Sequence, residues 1–399
     1  MNRKAFAFLA IALIACAPAF AARAVSAPRY RMRILPLPKG WSQMSIQGIT
    51  SHDVVYGTMY SGGDRELADL RSFVVKDDRL SITPDPPEDK RGTGYRQVRI
   101  QAITPNGRVE AMSLKYSWDG AWLGSSTSTW VDMPGFRGYL TPPPGYDDIQ
   151  DAALRPDGSI VGIANKTSDS EEFDYPTPIC VWKQGKLVGT LAPNANAILG
   201  VDAAGDLYFD EEVGKSIEVT VGKSQQWVGY YVTDYFKTVG GKPEAVKAPA
   251  VGDVQTLLPN GTWIYTDYGS SPVYTAAWAK ATIEQKNMPI THAPVAAVVM
   301  GDTVIKTPQF FPESVNASGT IVGSDSNLTK QDRPGFIQRA FVYKDGHTYE
   351  LKKCVINPLR RFRIESADFV IDSGVIGASA EIYTGKKWVA RAIVLTPVK

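Results

Sequence analysis

Residues 314–323 read SVNASGTIVG and residues 339–346 read RAFVYKDG, and the two stretches together describe one structural unit. The first stretch holds an apolar strand, a polar turn that ends in glycine, and a second strand. The other stretch is an apolar third strand that ends in a tight turn. Residues 153–162 (ALRPDGSIVG) and 179–185 (ICVWKQG) repeat the same order. Because Asn, Asp and Gly tolerate the positive φ of hairpin turns, these patterns predict units of short antiparallel strands.

The polar turn recurs along the chain at a near-constant spacing. The residues taken as equivalent are Asp53, Gly107, Gly158, Gly205, Gly261, Gly319 and Ser373. A period of roughly fifty residues is typical of repeat architectures, in which each unit buries its apolar faces against its neighbours. The sequence therefore predicts seven similar units.

A fourth strand in each unit is indicated by apolar segments that end in proline, such as residues 82–84 and 140–142. Four short strands per unit of about fifty residues form the blade of a β-propeller. Residues 30–36 look like a fourth strand without a unit before it, and residues 391–397 look like a third strand without a successor. We therefore predict an all-β, seven-bladed β-propeller, closed by pairing of the N- and C-terminal strands so that no sheet edge is left exposed.

Paired β-sandwiches with coincidentally spaced turns are the alternative fold. Units four and five match the repeat least well. Residues 273–286 (VYTAAWAKATIEQK) are rich in helix-forming residues, so a short helix or a broken blade is expected there.

The two clearest units resemble the extracellular HAF-repeat family, which is named for a His-Ala-Phe signature. The shared pattern is I/V-N-x-x-G-x-I/V-V-G followed by A-F-V/L-W/Y-x-x-G. In this chain the signature triplet reads Arg339, Ala340, Phe341, and the histidine is absent from the other units as well. The resemblance is good over about two units and faint elsewhere. It implies an exported repeat protein of propeller type and supplies no catalytic residues.

Residues 1–24 have the order of a secretory signal: a basic start, an apolar stretch, and small residues before a cleavage site. We predict a signal peptide at 1–21, a linker at 22–29 and a single propeller domain of about seven repeats at 30–399. Cys16 completes a lipoprotein box with the three residues before it, so a lipid-anchored form is the alternative, and an uncleaved anchor is a further one. No later segment is apolar enough to span a membrane. A periplasmic or secreted location is expected.

The composition excludes several classes of function. The chain has 43 Lys plus Arg against 41 Asp plus Glu, a net charge of +2, which argues against a nucleic-acid partner. The three histidines (His52, His292 and His347) form no metal-binding motif, and no nucleotide-binding or serine-hydrolase motif is present. His52 and His347 fall in predicted turns. Asp202 and Asp206 give a weak calcium signal without the ligands that normally follow. No cofactor is predicted.

Only Cys180 and Cys354 remain after the leader. Counting units places Cys180 on the third strand of unit three and Cys354 just after the third strand of unit six, on nearly opposite sides of a ring. A disulfide requires Cα atoms within about 7 Å. Both residues are therefore predicted to be free, buried thiols.

Carboxylates are the sequence's only catalytic material, and no catalytic residue is assigned from them. Asp147, Asp148 and Asp151 cluster before unit three. Four more acidic residues follow in its long loop: Asp169, Glu171, Glu172 and Asp174. Glycosidases need two carboxylates at a set separation, which different blades of a propeller can supply around its axis. A solvated acidic loop is the simpler interpretation.

Aromatic residues give the candidate ligand-binding site, which consists of Tyr116, Trp118 and Trp122 between strands of unit two. A second aromatic group crowds unit four: Trp227, Tyr230, Tyr231, Tyr235 and Phe236. Exposed rings offer flat platforms for sugars or a peptide, whereas packing between blades is the plainer explanation. We predict a non-catalytic binding or interaction module for a carbohydrate or protein partner. The alternative is a carbohydrate-active enzyme of glycoside hydrolase type that uses axial carboxylates.

Overall fold

The protein is all-β. The computed structural model describes residues 26–61, 70–84, 86–87, 95–117, 125–166, 176–247, 254–258, 260–267, 276–284, 295–325 and 338–398. These residues form 28 strands, β1 to β28, and two short helices. The predicted signal peptide and Cys16 lie outside the described residues. Within the described ranges, no helix combines the length and the apolar character needed to cross a membrane.

The strands form antiparallel four-strand groups in chain order, here called units one to seven. Unit one comprises β2 (Gln43–Ile49), β3 (Val55–Tyr60), β4 (Leu70–Lys76) and β5 (Arg79–Ile82). Unit two comprises β6 (Tyr95–Ile103), β7 (Val109–Ser117), β8 (Ser125–Met133) and β9 (Phe136–Tyr139). Unit three comprises β10 (Asp148–Leu154), β11 (Ile160–Asn165), β12 (Ile179–Lys183) and β13 (Lys186–Ala192). Units one and two share one sheet through a single parallel pair, Leu70 with Gln97.

The next three units repeat this order in separate sheets. Unit four comprises β14 (Ala197–Val201), β15 (Leu207–Val221), β16 (Ser224–Val239) and β17 (Lys242–Ala245). Unit five comprises β18 (Val254–Leu257), β19 (Trp263–Asp267), β20 (Val295–Met300) and β21 (Thr303–Lys306), with helix α1 (Ala276–Ile283) between β19 and β20. Unit six comprises β22 (Phe311–Val315), β23 (Ile321–Ser324), β24 (Ala340–Lys344) and β25 (His347–Glu350), followed by helix α2 (Leu351–Cys354).

Unit seven draws its strands from both ends of the described chain. It comprises β26 (Phe362–Val370), β27 (Ile376–Tyr383), β28 (Trp388–Pro397) and the first strand, β1 (Tyr30–Ile34). β1 pairs antiparallel with β28, from Tyr30 opposite Pro397 to Ile34 opposite Ile393. The first strand thus supplies the fourth strand of the last unit.

Most of the core lies between neighbouring units. The second strand of unit three, β11, has five consecutive buried residues, because its two faces pack against different neighbours. Val161 and Ile163 of β11 contact Leu207 and Phe209 of unit four in one apolar cluster. The last unit packs on the first in the same way, since Val375, Ala392 and Val394 share a cluster with residues of β2 to β4.

The seven turns between the first and second strands have one hydrogen-bond pattern. In each turn the residue at the equivalent position donates its N–H to the carbonyl three residues earlier, as Gly319 does to Asn316 at 3.0 Å. This position holds Asp53 in unit one, with φ of 58°, and glycine in the other six. In unit seven it is Gly374, which bonds Ile371 at 2.8 Å, so the sequence alignment on Ser373 was wrong by one residue.

The structure also bears on the predicted helix, the two cysteines and His347. The helix expected within residues 273–286 is confirmed as α1. Cys180 and Cys354 are free and buried, as predicted, although Cys354 follows the fourth strand of unit six and not the third. The short β24–β25 hairpin causes that difference, because it leaves room for a complete strand before α2. For the same reason His347 is the first residue of β25 and does not lie in a turn.

Candidate functional site

The two ends of the molecule differ. The turns between first and second strands of neighbouring units contact one another, which places them at one end, here called the turn end. Ala317 donates its N–H to Oδ1 of Asp372 at 2.9 Å, and Arg155 Nε donates to the carbonyl of Gly205 at 2.8 Å. Because each unit is an antiparallel meander, the connections between second and third strands lie at the opposite end. This loop end carries the longest connections, which belong to units three, five and six.

Of the three predicted ligand-binding residues, the structure describes Tyr116. Tyr116 is the penultimate residue of β7, and its backbone pairs with Arg96 of β6 and Ser126 of β8. Trp118 and Trp122 fall in the β7–β8 connection and lie outside the described residues. The assignment of these three residues to a ligand site therefore stays a prediction.

The acidic residues of unit three separate into two groups. Asp169, Glu171, Glu172 and Asp174 lie outside the described residues. Asp148 is buried, and its Oδ1 accepts a hydrogen bond of 2.9 Å from the N–H of Thr127, so this carboxylate ties β10 to the preceding unit. Asp151 sits at an irregularity of β10 with φ of 48°. Of this acidic cluster, Asp151 is the member whose position matches a feature of the other units.

The first strand of every unit carries a bulge at one common position, six residues before the turn glycine or its equivalent. The residues there are Gln47, Gln101, Ala152, Leu199, Gln255, Glu313 and Asp368. In unit three the bulge also takes in Asp151. A bulge leaves one residue unpaired and re-aims its side chain. Counting Asp151, six of the seven units therefore carry an amide or carboxylate residue at this position, here called the bulge ring.

The carboxylates of the bulge ring are held toward their neutral forms. Burial raises the pKa of Glu313, and the nearby negative charge of Asp368 raises it further. Burial also raises the pKa of Asp368, against the hydrogen bonds from Ser366 and Ser379. In unit three, burial raises the pKa of Asp151, and the charge of Arg99 opposes that shift.

Two further observations concern the surroundings of the bulge ring. Units six and seven meet closely here, since the N–H of Val370 donates to Oγ of Ser314 at 3.2 Å. In unit one, Gln47 Oε1 is buried and has no hydrogen-bond partner among the described residues. The bulge ring thus combines paired carboxylates with an unsatisfied amide, a composition suited to hydrogen-bonding a polyhydroxylated ligand.

A long hairpin rises from unit four toward the loop end. β15 and β16 pair continuously from Tyr208 opposite Lys237 to Val221 opposite Ser224, whereas β14 and β17 cover only the end near the turns. Strands of 15 and 16 residues are far longer than the usual five or six. One face of the projecting part packs on α1, where Val219, Val228 and Ala279 form a small buried cluster.

The other face of the hairpin exposes two aromatic rings, which are here called the aromatic platform. Trp227 is 67% exposed and Tyr231 is 64% exposed. They share one face because they are four residues apart on a strand, a separation of about 13 Å. Between them lies Gly229, where an added Cβ would approach only a backbone oxygen at 3.9 Å. The floor between the two rings is therefore open and flat.

Sequence reasoning noted the aromatic residues of unit four without separating those that pack from those that are exposed. Tyr235 is buried and meets Trp263 edge-on at 5.0 Å, and Phe236 stacks on Phe209 at 5.2 Å. Trp227 and Tyr231 differ because they lie on the part of the hairpin that extends past β14 and β17. Strand alternation could have indicated this difference, because Trp227 and Tyr231 point to the face opposite Val228, which packs on α1.

The calcium signal at Asp202 and Asp206 has a different explanation. Lys237 Nζ lies 3.0 Å from Asp202 and 3.2 Å from Asp206, so a lysine occupies the place between the two carboxylates. Although burial of Asp202 opposes ionisation, hydrogen bonds from Lys237 and from backbone N–H groups give it a lowered pKa. No cluster of three or more metal-ligating side chains occurs among the residues that the structure describes.

No protein-family model matches this sequence, and no curated protein matches it either. Solved structures give weak likenesses. The β-propeller domain of the Trilobed protease from Pyrococcus furiosus is 8% identical, with a TM-score of 0.46 over 90% of this chain and 98% of that chain. A sialidase from Trypanosoma rangeli is 9% identical, with a TM-score of 0.36 over 90% of this chain and 53% of its own. A puromycin-hydrolysing peptidase of Mycobacterium tuberculosis is 13% identical, with a TM-score of 0.34 over 90% and 61%.

Proposed function

We propose that this protein is an exported, seven-bladed β-propeller that binds carbohydrate without cleaving it. The seven four-strand units, the packing of unit seven on unit one and the pairing of β1 with β28 support a closed ring of blades. The order of residues 1–24 supports export, with lipidation at Cys16 as the alternative. The motif resemblance supports membership of the HAF-repeat group of exported proteins.

The aromatic platform carries the carbohydrate assignment. Pyranose rings present flat C–H faces that stack on indole and phenol rings, and rigid aromatic side chains supply this contact at little entropic cost. The separation of about 13 Å between Trp227 and Tyr231 leaves room for an intervening sugar unit over Gly229. Polar side chains opposite the rings, among them Glu218, are available for hydroxyl groups. A protein strand or loop is the alternative occupant of the same surface.

Binding to immobilised neutral polysaccharides tests this proposal. Trp227→Ala and Tyr231→Ala should each weaken binding about 10-fold, the effect of losing roughly 1.4 kcal/mol at a hot-spot ring. Trp227→Phe keeps a ring and should retain most of the affinity. Val188→Ala is the matched control, because Val188 is 60% exposed on the fourth strand of unit three. Unchanged binding in both alanine variants would show that the carbohydrate does not bind at the hairpin.

Glycoside hydrolysis by the bulge ring is the second candidate. Its support is the proximity of Glu313 and Asp368 on the first strands of neighbouring units, with a raised pKa that suits a general acid. Release of reducing ends from a polysaccharide panel tests it, with Glu313→Gln and Asp368→Asn as the informative variants. If the wild type hydrolyses a polysaccharide and both folded variants do not, the protein is a glycoside hydrolase and the proposal of binding without cleavage is wrong.

A further inference from the structure

Five basic residues lie on two adjoining segments at the loop end of unit seven, and they are here called the basic cluster. Its members are Arg360, Arg361, Arg363, Lys386 and Lys387. The two segments that carry them are held together by backbone hydrogen bonds. Tyr383 donates its N–H to the carbonyl of Arg361 at 3.2 Å, and Thr384 donates to that of Lys387 at 3.0 Å. The cluster is thus fixed by the β26–β27 pairing and by the turn before β28.

Two aromatic rings hold Arg361 and Arg363 of the basic cluster in place. The guanidinium carbon of Arg361 lies 3.8 Å from the ring centre of Tyr383 and 5.8 Å from that of Trp388. The guanidinium carbon of Arg363 lies 4.0 Å from the same Trp388 ring. Tyr383 and Trp388 pack against each other with centroids 5.5 Å apart. A guanidinium stacked on a ring keeps the N–H groups at its edge free for a planar anion.

The charges of the basic cluster are only partly neutralised. Arg363 contacts Glu381 at 3.3 Å. Burial raises the pKa of Glu365, and the adjacent charge of Glu381 raises it further. Among the described residues, no carboxylate contacts Arg361. A positive surface therefore remains at this end of a chain whose overall charge is nearly balanced.

The position of the basic cluster links it to the proposed function. Arg363 is the second residue of β26 and Arg361 immediately precedes that strand, which is the first of unit seven and the edge of its sheet. The start of β26 is at the loop end, where the aromatic platform also projects. The two surfaces therefore belong to the same end of the molecule.

We propose that the basic cluster binds the anionic groups of an acidic polysaccharide, either uronic acid carboxylates or sulfate esters. Arg361 receives the anion through the free edge of its guanidinium, and the neighbouring cations extend the attraction along the polymer. This inference rests on the proposed carbohydrate-binding function and names its ligand class. Polysaccharide is favoured over other polyanions because aromatic rings are interleaved with the cations.

Titration calorimetry with polygalacturonate, dextran sulfate and uncharged dextran tests the inference. Arg361→Gln should weaken binding of the acidic polymers about 10-fold, the usual effect of losing one charge-assisted hydrogen bond of about 1.4 kcal/mol. Arg361→Lys keeps the charge but not the planar fork, so it should restore part of the loss. Arg79→Gln removes an exposed arginine of unit one and is the matched control. Raising the salt concentration should reduce the preference for acidic polymers.

Comparison of the carboxylated and the sulfated polymer identifies which anion is preferred. An equal loss in Arg361→Gln and Arg79→Gln would show attraction by overall charge and would overturn the inference. Binding to anionic phospholipid vesicles that depends on Arg361, without polysaccharide binding, would overturn it in favour of a membrane surface. Binding of uncharged dextran alone would remove this inference and leave the proposed function intact. Failure to bind any polysaccharide would remove both.

Discussion

The N–H of Ile356 donates a hydrogen bond of 2.9 Å to the carbonyl oxygen of Tyr30. Tyr30 therefore contacts two parts of the molecule: it pairs with Pro397 in the last strand and bonds the segment between units six and seven. Its side chain is 2% exposed and belongs to the cluster that contains Leu351 and Cys354. The first strand is thus fixed both by a sheet and by the core between two units.

Deletion of residues 30–37 should destabilise the whole fold. The segment carries Tyr30 and Leu35, both nearly fully buried, and burial of such side chains contributes about 1.5–3 kcal/mol each. We expect the free energy of unfolding in urea to fall by about 3–6 kcal/mol. Arg31→Ala changes an exposed residue of the same strand and should shift it by less than about 0.5 kcal/mol. A deletion variant as stable as the wild type would contradict closure by β1.

Tyr30 should make the fold sensitive to alkaline pH. Burial, and then the charge of Cys354, raises the pKa of Tyr30 from 10.0 to about 12. The folded state therefore holds this proton more tightly than the unfolded state, so the stability is complete below pH 10 and falls as the pH rises toward 12. Between pH 8 and pH 11 the free energy of unfolding of the wild type should therefore fall by about 1.4 kcal/mol more than that of Tyr30→Phe. Urea unfolding of both proteins at the two pH values measures this difference. An equal pH dependence of the two proteins would contradict the raised pKa of Tyr30.

Cys180 and Cys354 should react only after unfolding. Burial raises the pKa of the Cys354 thiol to about 11, with a further contribution from Glu350, and burial also raises the pKa of Cys180. Because the thiolate is the reactive form, alkylation at pH 8 should be slow in the native protein. Mass spectrometry of protein that begins after residue 21 should show two alkylated thiols in denaturant without reductant. A Cys180–Cys354 crosslink would overturn the order of the units.

Asn316 should stabilise the junction between units six and seven. Its Nδ2 donates to the carbonyl of Ile371 at 3.0 Å, and its Oδ1 accepts from the N–H of Thr320 at 2.9 Å. The side chain is 4% exposed, so Asn316→Ala leaves buried polar groups unsatisfied and should cost about 2 kcal/mol in urea unfolding. Asn260→Ala is the control, since the Asn260 side chain accepts a hydrogen bond within its own turn, from the N–H of Thr262 at 3.1 Å, and no bond to another unit is seen among the described residues. Equal effects in both variants would show that the bridge between units is not the cause.

The repeat was predictable because turn chemistry is local. The glycine at Gly107, Gly158 and Gly319 is required by a positive φ, and the structure gives each of these turns the same hydrogen bonds. The one-residue error at Ser373 arose because the serine and the following glycine both suit a turn. The helix within residues 273–286 was predictable for the same reason, since helix propensity is a local property of the sequence.

The candidate sites were harder to predict because they depend on contacts between distant residues. Nothing local marks Glu313 and Asp368 as neighbours, because the bulges that place them are set by pairing with their second strands. Similarly, Trp227 is exposed because β15 and β16 are longer than the other two strands of unit four. Tyr116 was chosen from a dense aromatic segment, and density alone does not tell exposed rings from packed ones.

Pairing of β1 with β28 has a consequence for the order in which the molecule can assemble. Tyr30 is among the first described residues to leave the ribosome, and its partner Pro397 is among the last. Units one to six can form their hairpins during synthesis, since their strand pairs are local in the chain. The seventh sheet has to await synthesis of β28 and then close a loop that spans nearly the whole described chain, a step of high contact order. Until β1 pairs with it, β28 presents a free edge at which the chain is open to misassociation.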